Sequence, residues 1–98
     1  MAKLSTEAIQ AALKKLGGGW SLKDGAIGKQ YTWPSFPDAI EFVNRVADLA
    51  EQADHHPDIL INYRRVTLTL STHSEGGITQ KDFDLAQRFE KEITKQAE

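Results

Sequence analysis

The chain has 98 residues, which suffices for a single small domain because domains usually contain about 100 to 200 residues. Twelve Lys and Arg oppose 14 Asp and Glu, so the net charge is -2, which excludes nucleic-acid binding through charge alone. Because there is no Cys, no signal-peptide pattern and no apolar run of about 18 residues, we expect a cytoplasmic protein without disulfides, thiolate metal sites or membrane spans.

The first predicted elements are a helix and a β-hairpin. Apolar residues at three- and four-residue steps predict a helix from Ser5, as its N-cap, to Leu16. Three consecutive glycines at positions 17–19 end this helix. The β-prone segments 20–22 and 26–33 flank a short polar gap that contains Gly, which is typical of a hairpin.

A second helix is predicted to begin after Ser35 and to end between residues 54 and 56, because Pro57 disfavours helical backbone at the preceding residue. Phe42 and Leu49 lie off its main apolar stripe, which predicts spare apolar surface for a contact between helices or subunits. The stripe itself consists of Phe36, Ala39, Ile40, Val43, Val46, Ala47, Ala50 and Ala53.

Two further strands and a third helix complete the chain. Segments 59–63 and 66–70 are β-prone and closely linked, which predicts an antiparallel pair. Thr79 and Asp82 fit a capping box that opens a helix to about Gln96.

The predicted order is therefore α-β-β-α-β-β-α within a single domain, residues 1–98. This order indicates an α+β fold, a two-layer sandwich of a four-stranded antiparallel sheet with three helices on one face.

All three histidines lie at predicted element boundaries, where side chains often converge on a cleft. His55 and His56 end the long helix and His73 follows a strand, and imidazoles can exchange protons near neutral pH. Glu51 is four residues before His55, so it is expected on the same helical face, where it would fix the imidazole tautomer. Extended backbone over residues 71–74 would leave peptide groups free to pair with a flat heterocycle.

Simpler explanations remain open for each of these residues. The paired histidines could be an exposed cap at the helix C-terminus, and Glu51 and Asp54 could be solvated helix charges. Capping by itself explains Asp82. A metal site built from the histidines and Glu51 is the third option, although the zincin pattern HExxH is absent and adjacent histidines chelate one ion poorly.

The spacing of these residues resembles the signature of the pterin-4a-carbinolamine dehydratase family. The matching pattern is Glu51-x3-His55-His56-Pro57-x5-Tyr63-x9-His73-x8-Asp82. Similarity also extends to Gly19-Trp20 and to residues 36–50 with their core at 44–47, so it covers nearly the whole chain.

The resemblance implies a hydro-lyase that needs no cofactor and no metal. It would remove water from 4a-hydroxytetrahydropterin in tetrahydrobiopterin recycling, after an aromatic amino acid hydroxylase. The resemblance implies that the catalytic residues would be His55, His56 and His73. The residues expected to bind substrate are Glu51, Asp54, Pro57, Ser71, Thr72, Ser74, Asp82 and Trp20.

The same resemblance implies a homodimer or homotetramer that acts on a small-molecule pterin, with no direct nucleic-acid contact and no membrane contact. In animals, members of the family also serve as a dimerisation cofactor of a homeodomain transcription factor. The alternative function is therefore a non-catalytic dimerisation or interaction module of the same fold.

Overall fold

A computed structural model describes residues 2–93 of the chain and confirms the predicted order of elements. A 3₁₀ turn, His73–Glu75, follows the fourth strand. The last helix was expected to reach about Gln96, which lies outside the described residues. The elements are α1 (Thr6–Leu16), β1 (Ser21–Lys23), β2 (Ala26–Thr32), α2 (Phe36–Ala53), β3 (Asp58–Asn62), β4 (Arg65–Leu70) and α3 (Gln80–Glu92).

The four strands form one antiparallel sheet in the order β1-β2-β4-β3, which leaves β1 and β3 at the edges. The three helices cover one face of the sheet, as predicted, and their apolar residues share one core with the inward-facing residues of β2 and β4. Alternation along β4 buries Val66, Leu68 and Leu70 and turns Thr67 and Thr69 to the uncovered face. Within residues 2–93, no helix is both long and apolar enough to cross a bilayer.

Local sequence signals explain where the helices begin. The Ser5 hydroxyl accepts a hydrogen bond from the Ala8 N–H at 3.1 Å, and the Ser35 hydroxyl accepts one from the Asp38 N–H at 3.2 Å. Each bond satisfies a backbone donor that has no partner within the helix. Both N-cap predictions are thereby confirmed.

The buried face of α2 differs from the predicted stripe. Phe42 and Leu49 are both buried in the core, so the predicted spare surface for a subunit contact is wrong, whereas the predicted alternative, a contact between helices, is not contradicted. The Phe42 ring packs 4.7 Å, centroid to centroid, from both Tyr31 and Trp33, because its large side chain fills the space above β2. Phe36, which was expected in the stripe, is 45% exposed.

The exposed apolar surface lies instead on the edge strand β3. Ile59 and Ile61 are each 38% exposed and Leu60 is 57% exposed. Tyr63, in the turn after β3, stacks on Phe36 with ring centroids 6.5 Å apart. One edge of the sheet therefore presents a row of apolar side chains beside backbone groups that have no neighbouring strand.

Glu90 anchors α3 to the first two strands. Its Oε2 accepts hydrogen bonds from Trp20 Nε1 at 3.1 Å, Lys29 Nζ at 2.8 Å and Tyr31 Oη at 2.6 Å. Burial alone would raise the pKa of Glu90, but these three donors together lower it. Burial, and then the bond to Glu90, raise the pKa of Tyr31.

We expect Glu90→Gln to lower the free energy of unfolding at pH 7 by about 1 to 3 kcal/mol, because the ionised acceptor of three donors is lost. Since folding lowers the Glu90 pKa from 4.5, its contribution is present above pH 4.5 and is lost as pH falls through the lower folded value. Urea unfolding across this range should show the two proteins converging in acid. The control is Glu92→Gln, which alters an exposed pair with Arg88; an equal loss in that variant would contradict the assignment.

Candidate functional site

The end of α2 separates the two adjacent histidines. Asp54 has left-handed backbone (φ +51°), and its N–H donates to the carbonyls of Ala50 and Glu51. This conformation, which Asp adopts more readily than most residues, ends the helix and reverses the chain. As a result the His55 side chain is turned inward, 11% exposed, while that of His56 is 57% exposed.

His55 is bonded to a carboxylate from the third helix. Its Nε2 lies 2.5 Å from Oδ1 of Asp82, which is completely buried. The other oxygen of Asp82 accepts from the Thr79 N–H at 2.9 Å, completing the predicted capping box, and from the Thr72 hydroxyl at 3.0 Å. Asp82 therefore caps α3 and holds His55 at the same time.

This bonding pattern determines the tautomer of neutral His55. An ionised carboxylate can only accept hydrogen bonds, so neutral His55 bonded to ionised Asp82 carries its proton on Nε2. The opposite ring nitrogen, Nδ1, then carries a lone pair and can accept a proton. A buried carboxylate that orients a histidine in this way is a recurrent arrangement in acid–base catalysis.

The expected pairing of Glu51 with His55 is wrong. Glu51 Oε2 lies 2.6 Å from Nε2 of His56, and both side chains are largely exposed. The helix ends at Ala53, so the four-residue spacing no longer places His55 on the face of Glu51. Within this pair, Glu51 can orient only the outer histidine.

The chain after β4 also departs from expectation. Residues 71–74 do not stay extended: the Thr72 N–H pairs with the Gly77 carbonyl at 2.8 Å, and the residues between them close into the 3₁₀ turn. Gly76 ends that turn with φ +72°, a conformation that glycine adopts without strain. His73 and Ser74 consequently lie on an exposed turn rather than along a strand.

A cavity of about 600 Å³ lies over the uncovered face of the sheet. Ser71 and His73 line one part of it, beside Thr69 of β4 and Asp58 of β3. Lys23, near the hairpin tip, lines another part, because the β1–β2 tip and the C-terminal end of β4 lie at the same end of the sheet.

The segments that carry His55 and His73 meet at this end of the sheet. His55 and Thr72 bind the two oxygens of one carboxylate, and His73 follows Thr72 directly. Asp58, three residues after His55, pairs with Thr69 in the sheet. The structure thus brings the helix-end and strand-end histidine segments together.

Other predicted site residues are dispersed around this centre. Pro57 is half-buried, and Asp54 contributes its backbone to the helix cap. Trp20 lies in the core with its indole N–H bonded to Glu90, so that polar group is already used. Among residues 2–93, no group of three or more His, Cys, Asp and Glu side chains is arranged to hold a metal ion.

Sequence reasoning missed the hairpin side of the cavity. Lys23 and Gln30 line it, but neither carries a local signal, because only strand pairing brings them to the same face as Thr67 and Thr69. Alternation along β4 did signal a polar face with Thr67 and Thr69, yet it could not show that a cavity covers that face.

The fold and the site together define a class: a small α+β domain with a histidine–aspartate pair at one end of an open antiparallel sheet. A family model described as "Pterin 4 alpha carbinolamine dehydratase" matches residues 2–92. The chain belongs to this family, as the sequence resemblance indicated.

Relatives and solved structures agree with this membership. A Herpetosiphon aurantiacus protein named "Putative pterin-4-alpha-carbinolamine dehydratase" is 52% identical over 91 residues, covering 93% of this chain and 94% of the relative. A Mycobacterium avium protein with the same name is 56% identical over 86 residues, or 88% and 90% of the two chains. A Brucella melitensis structure, described as a transcriptional coactivator/pterin dehydratase, has a TM-score of 0.85 and 36% identity and covers 90% of this chain and 95% of its own.

A more distant structure shares the fold alone. It is described as a pterin dehydratase-like protein identified as a RuBisCO assembly factor in the alpha-carboxysome. It has a TM-score of 0.61 at 22% identity, and the match covers 76% of this chain and 88% of that chain.

We expect neutral His55 to carry its proton on Nε2 in wild-type protein and on Nδ1 in Asp82→Asn. In the variant, the side-chain oxygen must accept from Thr72 and Thr79, so its NH₂ group faces His55 and requires an acceptor there. Nitrogen-15 NMR of the imidazoles measures this directly. Glu51→Gln, which affects the outer pair only, should leave the His55 tautomer unchanged; an unaltered tautomer in Asp82→Asn would contradict the geometry.

Proposed function

We propose that this protein is a 4a-hydroxytetrahydropterin dehydratase that forms quinonoid dihydropterin and water. The observation that carries the proposal is the pairing of His55 with buried Asp82, at the end of the sheet where His73 borders a cavity. Family membership over residues 2–92 supports the same reaction.

The reaction requires two proton transfers. The C4a–O bond breaks as a neighbouring ring nitrogen donates its electron pair, a general acid protonates the departing hydroxyl, and a base removes a ring-nitrogen proton. His55 suits the role of base, because Asp82 holds its Nε2 proton and leaves Nδ1 available. His73 is then the acid, and exposed His56, oriented by Glu51, assists substrate orientation or hydroxyl departure.

The remaining substrate contacts follow from the family pattern. The pterin plane would be lined by Ser71, Thr72 and Ser74, although the backbone N–H and carbonyl of Thr72 are already paired within the turn. Pro57 would border the plane from the loop after α2. Ser71 already lines the cavity. The proposed substrate-binding set is completed by Glu51, Asp54, Asp82 and Trp20. The indole N–H of Trp20 is bonded to Glu90, so this residue has the least support.

The proposal includes no cofactor, since proton transfer by side chains suffices for this dehydration. It places the protein in the cytoplasm, in tetrahydrobiopterin recycling downstream of an aromatic amino acid hydroxylase. The cysteine-free composition is compatible with a reducing compartment.

We expect His55→Ala and His73→Ala each to slow dehydration by about 10²- to 10⁴-fold, the usual contribution of one general acid or base. Stopped-flow absorbance of the 4a-hydroxypterin measures the rate, and circular dichroism checks that both variants remain folded. Gln10→Ala, on the exposed surface of α1, serves as the control. Wild-type turnover in folded His73→Ala would refute the assigned role.

Self-association is the second part of the proposal. A non-catalytic interaction module is the alternative function, and the observation that favours association is the exposed apolar row of β3. Two copies of this edge can extend the sheet through backbone hydrogen bonds while Ile59, Leu60 and Ile61 lose contact with water. A homodimer formed in this way can pair again into a homotetramer.

We expect the protein to be an oligomer at micromolar concentration and Leu60→Lys to shift it towards monomer, because a charge on an edge strand opposes strand pairing. Native mass spectrometry and sedimentation measure the mass. Leu22→Lys is the matched control, since Leu22 is an exposed leucine, 39% accessible, on the opposite edge strand. A monomeric wild type, or equal dissociation in both variants, would contradict pairing through β3.

A further inference from the structure

The edge strand β3 has opposite charges at its two ends. Asp54 and Asp58 lie at its beginning, and Arg64 and Arg65 follow its last residue, Asn62. Within the described part of the chain, the carboxylate of Asp58 and the guanidinium of Arg65 have no hydrogen-bond or ion-pair partner. A second copy of β3 complements these charges when it runs antiparallel, because each acidic end then meets a basic end.

The antiparallel register that uses the whole strand has its two-fold axis at Leu60. Position 58 then lies opposite position 62 of the second copy, and position 59 lies opposite position 61, so the uncovered face of one sheet continues that of the other. This pairing also brings together the two Leu60 side chains, which are each 57% exposed in a single copy.

This register brings the partner's Arg65 close to Asp58. Arg65 pairs with Asn62 across its own hairpin, so it lies one strand beyond the residue that faces Asp58. Two strand spacings, about 10 Å between Cα atoms, then separate Asp58 from the partner's Arg65. Both side chains lie on the uncovered face, because Arg65 alternates with Thr67 and Asp58 pairs with Thr69. An extended arginine side chain crosses most of this distance, so the two opposite charges can form an ion pair.

Asp58 connects this contact to the cavity over the uncovered face, because Asp58 and His73 both line that cavity. Arg65 of the same copy does not line it, since four residues of β4, about 13 Å, separate Arg65 from Thr69. A second copy can therefore supply an arginine that a single copy cannot.

We propose that the cavity is shared between two copies of the chain, with the partner's Arg65 bound to Asp58 at its wall. This inference rests on the self-association and the dehydratase activity of the proposed function. Arg65 is a positioning residue: the ion pair restrains Asp58 and hence the short segment that joins Asp58 to His55. Asp58 and Arg65 are then among the few residues that serve both association and proton transfer.

The test reverses the charge at the two positions in separate proteins. In Asp58→Lys and in Arg65→Glu, like charges meet at both symmetric contacts of the dimer. Sedimentation should show that the dissociation constant of each dimer rises by about 10- to 100-fold. Arg45→Glu is the matched control, because Arg45 is an exposed arginine on α2, and this variant should dimerise like wild type.

A one-to-one mixture of Asp58→Lys and Arg65→Glu supplies the decisive measurement. Only in the heterodimer do both contacts join opposite charges, so native mass spectrometry with one protein labelled by nitrogen-15 should show mainly heterodimer. Its dehydration rate should exceed that of either variant alone by about 10- to 100-fold, the effect of a small misplacement in an active site. Absence of a preferred heterodimer overturns the inference, as does a heterodimer no faster than the single variants although wild-type protein is active.

An introduced cysteine reports the register independently of charge, because the chain contains no Cys. Leu60→Cys places two thiols across the two-fold axis, where the Cα atoms of opposite residues are about 4.5 to 5.5 Å apart, a separation that a disulfide spans. It should cross-link under mild oxidation. Asn62→Cys should not, because its counterpart lies four residues away along the paired strand. No cross-link in Leu60→Cys, or an efficient one in Asn62→Cys, overturns the register and with it the ion pair.

Failure of the proposed function would look different. A preferred heterodimer together with an inactive wild type would remove the dehydratase and retain the contact between subunits. Wild-type turnover in Asp58→Lys and Arg65→Glu, measured where both are monomers, would retain the dehydratase and remove the shared cavity.

Discussion

The buried carboxylate of Asp82 joins three parts of the chain that are distant in sequence. It caps α3 through Thr79, binds Thr72 after β4, and holds His55 after α2. A buried charge is tolerated only when its hydrogen-bonding capacity is satisfied, so these partners must all be in place together. The fold and the proposed proton-transfer site therefore depend on the same group.

The helices leave one face and one edge strand of the sheet uncovered, and these parts supply the proposed interaction surfaces. The three helices occupy one face, which leaves the other open over a cavity bordered by His73. The strand order leaves β3 at an edge with exposed apolar residues. Small domains bury a limited fraction of their surface, and association is a common way to bury more.

The two proposed roles draw on different parts of this surface. Proton transfer needs the inward His55, which the left-handed cap at Asp54 turns towards α3, and it needs the cavity over the open face. Association needs the backbone edge of β3 and the apolar side chains along it. A sequence change can therefore alter one role and leave the other intact, because few residues are shared.

The sequence by itself determined the order of the elements and their beginnings, because caps such as Ser5, Ser35 and Thr79 act on residues only a few positions away. The spacing of the histidines with Glu51 and Asp82 also indicated the family to which the chain belongs. Only the tertiary structure decided that Asp82, rather than Glu51, binds His55, and that Phe42 is buried. Those outcomes depend on the path of the chain after each element ends and on side chains that meet across many residues, which no local pattern encodes.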